Sequence, residues 1–448
     1  MNALDRPAGR PYNLPMKIRV PRPLIALTIL SALLLLASCR RSPERPNIVL
    51  IVVDALRADH LPFYGYGEDT APFLNSLAGR GAVFAHAYSA ANWTVQATAA
   101  LLTSVHPFQL RTQPEDYAGG AEAPGSEFRV GALAATAPTL AMALKKRGYR
   151  TFAVSSNLFV ARGSGFDRGF DRFQDFHMKA DGRELNAKIS EWRSAMKGAP
   201  YFLYIHYTDT HVPYVGRAPF YRAHSDRRQD YAARYDSNIR YVDGNIQALF
   251  HELGWKRGTV LVVTADHGEE FWEHDYRGHG KNLYNGSVRV PLLLHYPQGI
   301  RRSRVIEENA GHVDVLPTVC ELAGAAVPPQ AEGLGLLKAA RGDSAYLRGR
   351  PLYLYVDRGR FQFQAVVRDN WKWIANRSNG REFLFDLKAD PREQNNLALR
   401  EEFAAIRAEL RDSYLSFAGR SRRYDAVRIR MELTPEKIKE LKTLGYLD

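Results

Sequence analysis

The chain has 448 residues, 45% of them hydrophobic and 24% charged, which exceeds one domain of roughly 100 to 200 residues and fits a folded globular protein. Its formal charge is +13, but the first 45 residues carry six of those charges, through eight Arg or Lys set against Asp5 and Glu44. The rest is dispersed without a lysine–arginine block, which argues against nucleic acid as a partner and for a mildly basic surface facing anionic substrates or lipid head groups.

In chain order, Lys17, Arg19 and Arg22 precede the apolar run LIALTILSALLLLASC, which stops at Cys39. The run is short for a membrane span and stops abruptly. LASC resembles the bacterial lipoprotein box, so residues 1–39 are expected to be a signal peptide. Cys39 would then become the lipidated membrane anchor in a cell envelope, facing periplasm or exterior. Processing would leave Cys320 as the one thiol, without a disulfide framework and with the look of an inert core residue. Residues 40–46 read as a tether.

NIVLIVVD then opens a continuous β-branched run, the pattern of a strand buried on both faces. Similar runs begin at Thr151, Tyr201, Gly258 and Val290, separated by helical patterns such as APTLAMALKKRGY and YDSNIRYVDGNIQALFHELG. Alternation of this kind predicts an α/β fold with a largely parallel central sheet flanked by helices, spanning residues 47–345. From about Arg350 the runs PLYLYV, FQFQAVVRD and WKWIAN alternate in polarity, which predicts a smaller α+β subdomain over residues 346–448 with a half-exposed antiparallel sheet.

The ends of the strands carry the chemistry. Asp54 closes the first run, Asp209 and His211 follow the run from Tyr201, and Asp266–His267 close the run from Gly258. Ligands of open α/β sheets gather beyond the carboxyl ends of strands, so these groups are expected to converge. Asp54, Asp266 and His267 offer the oxygen and nitrogen donors of a hard or borderline divalent cation, with Mn, Zn, Mg and Ca all open. Thr94 stands where the loop SAANW meets the small-residue helix VQATAALLTS. As a cap it would only close a helix; as a fourth ligand its oxygen would be activated by the cation and would face the positive end of the helix dipole. His206 stays unassigned, because its face depends on strand register.

Taken together, NIVLIVVDALRADHLPFYGYG, GFDRGFDRF, YIHYTDTHVPY, TADHGEEFWEHDYRGHGKNLYNG, HVDVLPTVCELAG and FLFDLKADPREQNNLA resemble, in order, the blocks of the sulfatase family in the alkaline phosphatase superfamily. The resemblance implies a metal-dependent hydrolase of sulfate or phosphate esters, with an anionic ester as substrate. It also places His211, His279 and Lys281 near the substrate anion, Lys281 standing one position from the family's usual lysine. Asp209, His211 and His279 offer a second-metal reading whose spacing fits poorly.

Departures from the family pattern bear on mechanism. The family carries Cys or Ser at the position of Thr94, matured to formylglycine, with Pro two residues on and Arg four on; here Gln96 and Thr98 stand in those places. Threonine cannot yield the aldehyde, so no formylglycine is expected. Ala55 replaces a second acidic ligand, and PFQLR replaces a basic segment. The remaining set, Asp54, Thr94, Asp266 and His267, resembles that of lipoteichoic acid synthases and related threonine-dependent phosphotransferases. The alternatives are therefore a phosphotransferase acting on envelope phospholipid or glycan groups, or a non-catalytic envelope scaffold that keeps the fold. No P-loop, G-x-S-x-G elbow or dinucleotide fingerprint is present.

Overall fold

The run NIVLIVV forms a strand because its β-branched side chains suit the pleat, and all but its first residue are buried on both faces. The computed structural model describes residues 45–112, 127–177, 180–432 and 435–443. The expected signal peptide, its Cys39 and residues 40–44 of the tether lie outside them.

The central sheet has eight strands: β1 (Asn47–Val53), β2 (Ala82–Phe84), β3 (Arg150–Ser155), β4 (Arg172–Asp175), β5 (Tyr201–Tyr207), β6 (Thr259–Thr264), β7 (Leu292–His295) and β8 (Arg304–Ile306). Their spatial order is β8-β2-β7-β6-β1-β5-β3-β4, and β1 pairs in parallel with both β5 and β6. Only β7 runs against its neighbours. The run from Val290 read like the other strands because a segment buried on both faces carries no directional signal.

The helices that matter here are α1 (Pro72–Ala78), α2 (Thr94–Thr103), α3 (Leu140–Lys146), α4 (Gly182–Glu191), α5 (Arg227–Glu252), α6 (Val315–Ala323), α7 (Ala404–Arg420) and α8 (Pro435–Thr443). One core, built on even-numbered β1 residues such as Leu50 and Val52, packs against α2, α3 and α6. The opposite core, on Val49, Ile51 and Val53, packs against α1, α4 and α5. Alternate residues of a strand point to opposite faces, which is why parity sorts them. Each large apolar side chain buried this way contributes about 1.5–3 kcal/mol. Cys320 is a free, buried thiol on α6, its pKa pushed up to about 12 by burial and the neighbouring Glu321.

The C-terminal strands β9 (Leu352–Arg358), β10 (Phe361–Arg368), β11 (Trp371–Asn376) and β12 (Glu382–Asp386) make the expected antiparallel sheet, with α7 against it. Its Leu354, Val356 and Ile374 share the even-face core with Leu50, so residues 45–448 form one compact unit. Among the described residues no helix is long and apolar enough to cross a membrane.

Candidate active site

Register builds the site. Val52 pairs with His206 of β5 on one side and Thr264 of β6 on the other, so Asp54, His206 and Asp266 emerge on one face where three adjacent strands end. Asp54 is pinned by its N–H donating to the Tyr207 carbonyl (2.8 Å). After β6 the chain runs against the backbone of Gly286 and Ser287, and Gly268 allows the close approach: a Cβ there would lie 2.2 Å from the Gly286 carbonyl oxygen. Ala55 adopts a left-handed conformation (φ 56°), and its N–H donates to Asp266 Oδ1 (3.1 Å).

All the groups at this end are buried. Asp266 Oδ1 also accepts from the His267 N–H (2.8 Å), while Asp54 Oδ2 accepts from Asn157 Nδ2 (2.8 Å). That leaves Asp54 Oδ1, Asp266 Oδ2 and His206 Nε2 buried without a hydrogen-bond partner among the described residues. Asp54, His206 and Asp266 each present one donor atom within 4.8 Å of the others. His206 Nε2 is 3.6 Å from Asp54 Oδ2 and 3.9 Å from Asp266 Oδ2. His267 Nε2 lies 3.4 Å from Asp266 Oδ2 and 3.9 Å from Asp54 Oδ1, and its Nδ1 donates to the Gly268 carbonyl (2.9 Å), which turns the Nε2 lone pair inward.

Electrostatics point the same way. Burial works to raise the Asp54 carboxyl, but the imidazoles of His211, His206 and His267 outweigh it and hold it well below the usual range. Asp266 is raised by burial and by the charge of Asp54. Burial opposes a charge on His267, yet Asp266 and Asp54 raise it. Two carboxylates that cannot both ionise comfortably, with orphaned donor atoms facing inward, fit a divalent cation.

Thr94 is the first residue of α2, and all ten residues of that helix are buried. Trp93, not Thr94, is the N-cap residue, and no side chain caps this end. Instead Thr94 Oγ1 lies 3.2 Å from His267 Nε2. The N-terminal, positive end of α2 thus starts at a residue whose hydroxyl contacts an imidazole of the acidic cluster. Gln96 Nε2 donates to the Asp357 carbonyl (3.1 Å), tying α2 to β9.

Of the other residues singled out from the sequence, His279 lies tilted against His267 (ring centroids 4.3 Å), and His211 meets His279 edge-on (5.1 Å). His279 is held well below the ordinary imidazole range by burial and by His267 and His211. Its Nδ1 is 3.1 Å from Glu269 Oε1, and Glu269 Oε2 accepts from Tyr214 OH (3.0 Å). Lys281 is half-buried and lines an adjacent cleft of about 420 Å³ with Trp93 and His279. The second-metal reading, whose spacing already fitted poorly, gains no support. Asp209 Oδ1 accepts from Arg217 (3.1 Å) and from the Gly182 N–H (3.3 Å), and among the described residues the one clustered donor set is that of Asp54, His206 and Asp266. Sequence reading missed Asn157 and Glu269 and left His206 unassigned; its even number, in step with Asp54 and Asp266, was the available signal, and the register puts it in their cluster.

A mainly parallel α/β sheet with such a cluster beyond its strand ends defines the alkaline-phosphatase-like architecture. The sulfatase family model matches residues 46–325, more than half of the chain, and the model for the C-terminal region of N-sulphoglucosamine sulphohydrolase matches residues 273–418. The chain belongs to the sulfatase family, hydrolases of sulfuric or phosphoric esters. It is similar to an ulvan-active sulfatase of Formosa agariphila, 25% identical over 88% of this chain and 86% of that one. It is also similar to a delta 4,5-hexuronate-2-O-sulfatase of Bacteroides thetaiotaomicron, 23% identical over 86% and 92%. Among solved structures, the phosphonate monoester hydrolase of Agrobacterium radiobacter shares the fold at TM-score 0.68 and 18% identity, over 84% of this chain and 96% of that one.

Proposed function

We propose that the protein is a cation-dependent hydrolase of sulfate or phosphate esters in which Thr94, rather than formylglycine, is the nucleophile. One observation carries this reading: the Thr94 hydroxyl does not cap its helix but sits 3.2 Å from His267 Nε2, which itself lies 3.4 Å and 3.9 Å from the orphaned oxygens of Asp266 and Asp54. Asp54, Asp266 and His267, with His206, would hold the cation, which when bound would acidify the hydroxyl and polarise the ester.

Thr94 Oγ attacks sulfur or phosphorus in line, the Oγ–S or Oγ–P bond forms, and the bond to the leaving oxygen breaks. We assign the proton transfer to the imidazole pair: neutral His279, held by Glu269, takes up the proton that Thr94 loses, and His279 or the adjacent His211 passes one to the leaving oxygen. The N–H groups of the first turn of α2 face the transferred oxyanion. Water then cleaves the threonine ester and returns the proton to Oγ. A phosphate ester suits this second attack better than a sulfate ester, because threonine has no aldehyde hydrate through which to expel sulfate. Anchoring through a lipidated Cys39 in a bacterial envelope belongs to the same reading and rests on the LASC segment.

Turnover of aryl phosphates, phosphonates and sulfates with added Mn, Zn, Mg or Ca tests it. Thr94→Ala is expected to lower kcat/KM by about a thousandfold or more. Mass spectrometry of protein quenched in turnover should place the phosphoryl or sulfuryl group on Thr94; unchanged turnover by the variant rejects the assignment.

A further inference from the structure

The cleft beside Thr94 is lined by Arg234, Arg277, Lys281, Arg358 and Lys442, and by no carboxylate among the described residues. That is more positive charge than one sulfuryl or phosphoryl group needs. Arg234 is committed to Asp230 (2.8 Å), and Arg358 has its Cζ over the ring of Trp93, the residue before Thr94, 3.5 Å from the ring centre.

Arg277 is different. It is exposed, makes no ion pair among the described residues, and stands over the faces of Tyr231 (5.1 Å) and Trp272 (5.7 Å). Cation–π attraction to both rings keeps the guanidinium at this wall of the cleft without using its N–H groups, which stay available to an oxyanion. The hairpin that carries it, pairing Glu270–Phe271 with Arg277–Gly278, is held in a costly form. Trp272 (φ 70°) occupies the left-handed region that bulky L residues avoid, and Asp275 (φ 65°) shares it, though aspartate enters that region more readily. Trp272 packs edge-on to Tyr231 at 5.2 Å, which holds that conformation in place. Strain kept at the rim of a binding cleft marks a shape retained for function.

We propose that this hairpin selects esters whose leaving group carries a second acidic group, a carboxylate or sulfo group on a ring of one-sugar size, received by Arg277. The inference deepens the ester-hydrolase reading and rests on it for where the ester sits. The volume of about 420 Å³ suits one such ring.

The test is equilibrium binding, by calorimetry, of three phosphonates that cannot be hydrolysed: 4-carboxybenzyl-, 4-sulfobenzyl- and 4-carbamoylbenzylphosphonate. The full chain in non-ionic detergent, supplied with Mn, is used. At least one acidic probe is expected to bind about tenfold more tightly than the neutral carbamoyl probe, as a charge-assisted pair implies; which of the two does so tells a carboxylate-bearing from a sulfo-bearing substrate. That preference should fall to under about threefold in Arg277→Gln and reverse in Arg277→Glu. Equal affinities in the unaltered protein, no binding of any probe, or a preference that survives both substitutions would overturn the proposal. Equal affinities or a surviving preference would fail the Arg277 inference alone, whereas no binding of any probe would fail the ester-site reading together with it; neither outcome depends on turnover or on Thr94.

Discussion

His206 Nε2 lies 3.6 Å from Asp54 Oδ2, although the two residues are 152 positions apart and sit on different strands. Both are fully buried, and His206 Nδ1 is engaged by the Tyr204 hydroxyl at 2.9 Å. The ring is thus oriented by its outer nitrogen, and the inner one faces the two carboxylates.

If that inner nitrogen serves the cation, His206→Gln should weaken cation retention about 10- to 100-fold while the fold persists. Metal content after dialysis, beside circular dichroism, measures both. Chelation of the unaltered protein should lower its Tm, because Asp54 and Asp266 are left as opposed buried carboxylates. Adding back a cation at a hundredfold excess over Kd should restore about 2.7 kcal/mol. A Tm indifferent to chelator and to cation would reject the site.

Acid stability depends on a different histidine. His106 is buried beside Phe417 and Tyr353, and burial together with the Arg350 charge lowers its pKa to about 3. The unfolded chain takes up a proton near pH 6.5 while the folded protein does not, so this stability is complete above that pH and is lost as pH falls toward 3. Between pH 6.5 and 5.0 the loss is about 2 kcal/mol. His106→Gln should flatten the fall in unfolding free energy between pH 7.5 and 5.0 by that amount, read from urea titrations at each pH. Asp243, raised by burial to about 6, works in the opposite sense in both proteins and cancels in the comparison.

Lys372 and Glu393 form a fully buried pair at 2.8 Å. Lys372 also donates to Asn285 Oδ1 (2.9 Å), and Glu393 Oε2 accepts from the Asn285 N–H. The pair thereby ties β11 to the start of the short helix Asn285–Val288, which follows Lys281. Lys372→Met strands a buried carboxylate and should cost about 3–5 kcal/mol by chemical denaturation. The double variant Lys372→Met with Glu393→Gln should recover part of that loss, and a double-mutant cycle with no coupling would refute the role.

Much of the architecture could be read along the chain. Continuous β-branched runs marked β1, β3, β5 and β6, alternating polarity marked the C-terminal sheet, and acidic or histidine residues at strand ends marked Asp54, Asp266 and His267. Each is a local consequence of side-chain shape and of the two-residue period of a strand. Direction was not legible for β7, since a run buried on both faces reads alike either way. Neither was the pairing of Asp209, whose partners Arg217 and Gly182 come from the segments after β5 and before it.

Residue type and order by themselves determined that a hydroxyl, two carboxylates and an imidazole exist where a sheet can gather them. Tertiary structure decided the rest. The pairing of Val52 with both His206 and Thr264 brought a second imidazole to the carboxylates, Asn157 arrived from the end of β3, and Glu269 came to stand behind His279. The physical reason is register: a strand tells which residues share a face, but only pairing to its neighbours tells which faces meet.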